Sequence, residues 1–307
     1  MELRHPLPTE DLLFSQYEAG LFAEEAVRHD VYTMKTRHFH DSIEINFLLR
    51  GERFYFIEQD TYHVCEGMAV LIGQGLLHKA STPESGNPYH HRFLLQYDFE
   101  PYDGLLRRLG FGGLDQFGER YSGAVSFAPA DWQHLLGACS LIKSCMLANT
   151  PASRARATLA AADLLILFAQ NADRERAMEW KQGRALRAAA ERETYLVQTG
   201  VYQKVHDISI YLQKNCGEPH SLDALAARFY LSRSNLTRMF KAVTGFTVTE
   251  YLTFTRVKKA RALLENTRLS VTDIAGQTGF GNVTYFERAF KKLTTMTPLQ
   301  YRRKNGK

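Results

Sequence analysis

The sequence predicts an α+β protein: an N-terminal β-barrel domain, then helices, then an all-α C-terminal domain with two helix-turn-helix units. Three observations carry this. Over the first hundred or so residues, apolar and polar side chains alternate between Gly-bearing turns. From about residue 130, apolar side chains recur at steps of three and four instead. The last hundred or so residues repeat one helical pattern.

The β region comes first. Ile43, Ile45 and Phe47 alternate with polar partners before Leu48-Leu49. After Gly51, Phe54 and Phe56 continue the alternation. Val70-Leu71-Ile72 follows Gly67, and Phe93-Leu94-Leu95 follows a Pro/Gly/Ser-rich loop at 81–88. Short strands at such spacing build a small sandwich or barrel. The helical pattern then takes over at Leu135, Cys139, Ile142 and Met146. Thr150-Pro151 caps and opens a further helix carrying Leu159, Leu164, Ile166 and Leu167. Residues 173–200, rich in Arg, Glu and Ala, read as a charged linker helix. The expected domains are 1–130 (β), 131–200 (helical, for dimerisation or linking) and 201–307 (helix-turn-helix).

A chain of 307 residues can hold two domains. Residues 1–30 mix charges throughout and show no apolar core of a secretory signal. The most apolar run, Leu164–Ala169, is too short to span a bilayer. The expectation is a cytoplasmic protein without a membrane partner. Cys65, Cys139, Cys145 and Cys216 form no CxxC pair, so their spacing suggests neither a zinc cluster nor a redox pair, and reduced thiols are expected.

Charge is divided unevenly. Residues 201–307 carry 18 Lys and Arg against 7 Asp and Glu, while residues 1–200 carry 20 against 26. A basic final third suggests a polyanionic partner.

The repeat gives that suggestion a shape. Ser221-Leu-Asp-Ala-Leu-Ala-Ala-Arg-Phe is followed, after a short turn, by Ser232-Arg-Ser-Asn-Leu-Thr-Arg-Met-Phe-Lys. Ser270-Val-Thr-Asp-Ile-Ala-Gly-Gln-Thr-Gly-Phe is followed by Asn282-Val-Thr-Tyr-Phe-Glu-Arg-Ala-Phe-Lys. The first helices align at an offset of 49 and the second at 50, so the second copy has one more turn residue. The units span 221–243 and 270–293. Ser221, Ser232, Ser270 and Asn282 can cap the four helices. Leu236 with Phe240, and Phe286 with Phe290, give each second helix an inward stripe. In such a unit the second helix enters the major groove of double-stranded DNA by its N-terminal residues. Here these are Arg233, Ser234, Asn235, Thr237 and Arg238, and Asn282, Val283, Thr284, Glu287 and Arg288. Arg can fork onto guanine, Asn reads adenine, Glu accepts from cytosine, and Val or Thr touches the thymine methyl. Lys241, Lys291 and Lys292 lie further along, suited to phosphate. Residues 247–266 read as one connecting helix.

The last hundred residues resemble the DNA-binding domain of AraC-type transcription regulators. The resemblance runs from Ser221-Leu-Asp-Ala-Leu-Ala through Arg238-Met-Phe-Lys, Ile274-Ala275, Gly279-Phe280 and Tyr285-Phe286-Glu-Arg-Ala-Phe-Lys-Lys to Thr297-Pro298. Thr295 departs from the Gly usual there, which is expected to tighten the turn after the helix. Gly276 stands where a larger residue is common. The resemblance implies sequence-specific DNA binding, a homodimer, recruitment of RNA polymerase and, on balance, activation. It further implies a small-molecule effector, such as a sugar or another metabolite, bound by the N-terminal domain.

That domain carries His38-x-His40-x-x-x-Glu44 and, later, Gly73-x-Gly75-x-x-His78, similar to the paired motifs of cupins. The resemblance places His38, His40, Glu44 and His78 at one inner site, expected to take the effector. No cofactor is expected, although three imidazoles and a carboxylate could hold a divalent metal. The alternative is a metal-dependent cupin enzyme with an appended DNA-binding domain. Arg37, Arg50 and Arg53 flank the same pocket and suit an anionic or hydroxyl-rich effector, or a solvated rim.

Overall fold

A computed structural model describes residues 10–30, 42–82, 88–181 and 200–306. The chain divides into two compact units, residues 1–197 and 198–307.

The first unit holds strands β1 (Glu10–Glu18), β2 (Leu21–Arg28), β3 (Ile43–Ile57), β4 (Asp60–Cys65), β5 (Met68–Ile72), β6 (His78–Ser81), β7 (His90–Tyr97) and β8 (Gly123–Ser126). The sheet runs β1-β2-β7-β3-β5-β8, with β4 and β6 also paired to β3. Every pairing is antiparallel. The long β3 is the pivot. Its first half, Glu44–Leu48, pairs with β5 and β7. The register then shifts between Leu48 and Arg50, and Glu52–Ile57 pairs with β4 while Phe54–Ile57 also pairs with β6. A bulge bends a strand and strengthens its twist, so one strand serves both halves of a folded-over sheet.

Both faces of that sheet are covered. Ile43, Ile45 and Phe47 join a core with helices α3 (Pro129–Ala148) and α4 (Pro151–Lys181). Leu48, Tyr55, Ile57, Val64, Val70 and Ile72 form a second cluster on the other side. Leu135, Cys139, Ile142 and Met146 of α3 are buried against the sheet. Tyr97 of β7 donates its hydroxyl to the Ala161 carbonyl of α4 at 3.0 Å. The expected Thr150 cap is present: Thr150 Oγ1 accepts from Ser153 N at 3.1 Å. Two short helices, α1 (Phe99–Arg108) and α2 (Leu114–Tyr121), interrupt the stretch read from sequence as β.

The second unit is helical: α5 (Gly200–Lys214), α6 (Leu222–Arg228), α7 (Arg233–Thr244), α8 (Val248–Asn266), α9 (Val271–Gln277), α10 (Val283–Thr294) and α11 (Pro298–Asn305). α6–α7 and α9–α10 are the two helix-turn-helix units, and α8 connects them. α8 starts with a full capping box between Thr247 and Glu250. It packs against both α7 and α10, and its 19 residues extend about 28 Å at the α-helical rise.

Candidate nucleic-acid interface and interior site

Each reading helix begins at a capped end. Ser232 Oγ accepts from Asn235 N at 3.2 Å, and Asn282 Oδ1 accepts from Tyr285 N at 3.0 Å. Ser221 and Ser270 cap α6 and α9 in the same way. Leu236 and Phe240 of α7, and Phe286 and Phe290 of α10, are fully buried. That stripe turns the opposite face outward. Arg233, Ser234, Asn235, Arg238 and Lys241 are exposed on α7, as are Asn282, Thr284, Glu287, Arg288, Lys291 and Lys292 at α10. Thr237 and Val283 are half-buried. Thr237 Oγ1 donates to the backbone carbonyls of Arg233 and Ser234, so its methyl is the group left for a base. Arg233 reaches back to Asp223 of α6 at 3.4 Å, with both side chains well exposed. Such a pair is weak and does not prevent Arg233 from turning to a ligand.

The turns match as closely as the helices. Tyr230 in the first unit and Gly279 in the second both take left-handed backbone, at φ +56° and +82°. The next amides, of Leu231 and Phe280, donate to Ala226 and Ala275 at 2.9 Å. The extra residue of the second turn is therefore Gly281. Tyr230 is missed by reading from sequence. Its ring is 94% exposed beside the start of α7, and the signal for it was its alignment with Gly279. Thr295, expected to tighten the turn after α10, instead takes the left-handed conformation that Gly245 takes after α7, at φ +62° against +79°.

Beside its apolar clusters, the first unit buries a set of polar and charged side chains. Glu44 accepts from Asn46 Nδ2 at 2.6 Å and Gln96 Nε2 at 3.2 Å. Arg92 pairs with Glu24 at 2.5 Å. Arg53 is 2% exposed, and its Nη1 donates to His90 Nε2 at 2.7 Å. His90 Nδ1 donates to the Pro88 carbonyl at 3.1 Å, which leaves Nε2 the acceptor and the ring neutral. Burial and the Arg53 charge push His90 down to about 3. Tyr55 is fully buried beside Arg53, its hydroxyl raised by burial and partly offset by Arg53, Arg92 and Arg28.

Of the expected inner-site residues, His38 and His40 lie outside the described residues, as does Arg37. Glu44 pairs across from Ile72 and Gln96. His78 pairs across from Ile57, at the far end of β3, and donates from Nδ1 to Leu76 O at 3.0 Å. Of the flanking arginines, Arg50 is exposed and Arg53 is buried.

Residues 225–304 match a family described as a helix-turn-helix domain, and residues 21–99 match one described as an AraC-like ligand binding domain. The transcriptional regulator Rob of Salmonella typhimurium is 39% identical over 99 residues, 32% of this chain and 34% of that protein. The chain thus spans about a third of the length of that relative. An uncharacterised helix-turn-helix regulator of Bacillus subtilis, YdeC, is 22% identical over 272 residues, 88% of this chain and 86% of that protein. Among solved structures, the DNA-binding domain of AdpA in complex with a target DNA is 30% identical, with a TM-score of 0.31, over 32% of this chain and 88% of that one. No helix among the described residues is long and apolar enough to cross a membrane. The chain thus carries an AraC-like ligand binding domain followed by a helix-turn-helix domain of the AraC type.

Proposed function

We propose that the chain is a cytoplasmic, sequence-specific DNA-binding regulator rather than an enzyme, acting as an activator that recruits RNA polymerase. The observation that carries this is the matched pair of reading helices, each capped, each burying one stripe and exposing Arg, Lys and amide or hydroxyl groups on the other. A connector of about 28 Å is close to the roughly 34 Å repeat of the major groove on one DNA face. Arg238, Asn235 and Arg233 read bases from α7, and Glu287, Arg288 and Thr284 from α10. Lys241 and Lys291 meet phosphate.

The N-terminal domain takes a small-molecule effector on its charged interior, lined by Glu44, Arg53, Tyr55, His90 and Arg92. Three buried guanidinium groups, Arg28, Arg53 and Arg92, favour an effector with a carboxylate or phosphate over a neutral sugar. A charge-assisted bond to a planar guanidinium is among the stronger recognition contacts available. Thermal-shift screening of small acids against their neutral amides checks this. A stabiliser found only among neutral compounds would count against it.

DNA binding is tested by anisotropy on promoter fragments from beside the gene. Arg238→Ala should cost about 1–3 kcal/mol and relax selection at one base position. Lys241→Ala should weaken all sequences alike and flatten the salt dependence by about one counterion. Identical behaviour of both variants on specific and random DNA would sink the assignment of roles.

A further inference from the structure

We propose that Glu52, His63 and Cys65 form a binding site for a divalent transition metal of zinc-like character, on the outer face of the β3–β4 hairpin. Sequence spacing does not show this set, because Glu52 is 13 positions from Cys65. The strand register brings them together. Glu52 pairs directly across from Cys65, and Phe54 directly across from His63. Residues opposite one another, and those two along, share a sheet face. The three donors therefore stand on one face of one hairpin, and Arg53, Tyr55 and Val64 stand on the other.

The donor atoms converge. His63 Nε2 lies 2.7 Å from Glu52 Oε2 and 3.7 Å from Cys65 Sγ. One carboxylate oxygen, one imidazole nitrogen and one sulfur all fall within 4.8 Å of each other. Zinc bonds of about 2.0–2.3 Å in tetrahedral geometry set donor separations of roughly 3.3–3.7 Å. The nitrogen–sulfur distance already satisfies this. The nitrogen–oxygen distance of 2.7 Å must open to roughly 3.4 Å, which rotation of the 36%-exposed Glu52 side chain supplies. Phe54 stacks on the His63 ring at 4.8 Å and 23°, holding the imidazole plane.

Chemistry narrows the ion. A thiolate and an imidazole exclude magnesium and calcium, which take oxygen, and favour zinc, cobalt or nickel. Three protein donors on a half-buried face leave a fourth position for water. A metal here grips the strand whose alternate residues, Arg53 and Tyr55, face the interior. The site is distinct from the set His38, His40, Glu44 and His78, which contains no sulfur.

That difference decides the test. Full-length protein, reduced and stripped with chelator, is titrated with cobalt(II) alone. The expected result is one cobalt per chain, with a near-ultraviolet thiolate-to-cobalt band and visible bands of four-coordinate intensity, both bleached by zinc. Cys65→Ser should abolish the near-ultraviolet band with the far-ultraviolet circular dichroism unchanged. Glu52→Gln should keep the band and weaken binding by at least the roughly tenfold that removal of a ligand's own supporting partner costs. Absence of any thiolate band in the unmodified chain overturns the proposal. So does a band that survives Cys65→Ser, since it would belong to another cysteine.

Discussion

Arg256 of α8 donates from Nε to the carbonyl of Cys216 at 2.8 Å, and its guanidinium lies 5.8 Å from the centre of the Phe280 ring. A second bond runs from Nη2 to Glu218 O at 2.9 Å. One side chain thus joins the connector, the segment after α5 and the turn of the second helix-turn-helix unit. Arg256→Ala removes two charge-assisted bonds to carbonyls, which places its cost at about 1–3 kcal/mol. Its sharper effect is on geometry. Affinity for a site spanning two grooves should fall more than affinity for a half-site, measured by anisotropy on the two fragments. Equal losses would mean that Arg256 supports folding alone.

Gly279 sits under the same staple. A Cβ there would lie 2.7 Å from Cys216 O and 2.9 Å from Arg256 Nη2, and the backbone is left-handed. Gly279→Ala meets both costs, the left-handed one alone being about 1–2 kcal/mol. Gly276, three residues earlier, is the opposite case. It is helical and exposed, and a Cβ there meets nothing within 4 Å. Gly276→Ala should stabilise by about 0.5–1 kcal/mol, from helix propensity alone. Both tryptophans of the chain, Trp132 and Trp180, precede residue 198. The C-terminal shift should therefore appear in circular dichroism melting and leave tryptophan fluorescence melting unmoved.

Thr295 tests the same physics at a helix end. It holds left-handed backbone where Gly245 stands in the first unit. Thr295→Gly should stabilise by up to about 1 kcal/mol and Gly245→Thr should destabilise by a similar amount. If Thr295→Gly destabilises in circular dichroism melting, the bond from Thr295 Oγ1 to Thr294 O outweighs the backbone strain.

The helix-turn-helix units were legible because caps, buried stripes and small contact residues are local signals, and because they occur twice. The interior of the first unit was only half legible. A polar-lined interior produces the same apolar/polar alternation as a strand with a solvated face, so Arg28, His90 and Arg92 carried no mark of burial. Arg53 reads as a pocket neighbour, but nothing in sequence marks it as buried. β1 falls in the stretch expected to be β but shows no strand pattern of its own, for another reason. Its register shifts between Leu12 and Phe14, and Leu12, Leu13 and Tyr17 are exposed, so its alternation is broken. α1 and α2 are short and flank a segment with Gly110, Gly112 and Gly113, which reads as loop. The trio on β3–β4 depends on cross-strand register, which a single sequence does not print.

His90 gives a pH dependence with a definite sign. Its ordinary value of 6.5 holds in the unfolded chain, and in the folded chain it falls to about 3, chiefly through burial and then Arg53. Between those values the unfolded chain binds the extra proton, so stability falls as pH drops through the window and is fully present above 6.5. Arg28 and Arg92 face the same ring and act in the same direction. Urea unfolding of the first unit, followed by tryptophan fluorescence from pH 7 to pH 4, should show this loss. His90→Gln should be less stable at pH 7 but lose less on acidification. An unchanged slope would mean that the neutral imidazole is not what acid attacks.

The outer faces of α3 and α4 form a groove of about 590 Å³ that includes Leu141, Leu159 and Ala160, with His134 and Asp163 paired at 2.5 Å along it. Leu164 and Leu167 of α4 turn inward and are buried, whereas Leu159 is 64% exposed. The inward stripe covers the sheet, and Leu159 is the residue that covering the sheet does not explain. We propose that a homodimer buries this groove, since apolar side chains gathered in a groove mark association surfaces more often than isolated ones do. Leu159→Asp should leave the fold within about 0.5 kcal/mol, because the side chain lies outside the core. It should shift the sedimentation coefficient from dimer to monomer and weaken binding to paired operator half-sites while sparing single ones. A chain that sediments as a monomer at micromolar concentration before any substitution would remove the groove from the list of self-association surfaces.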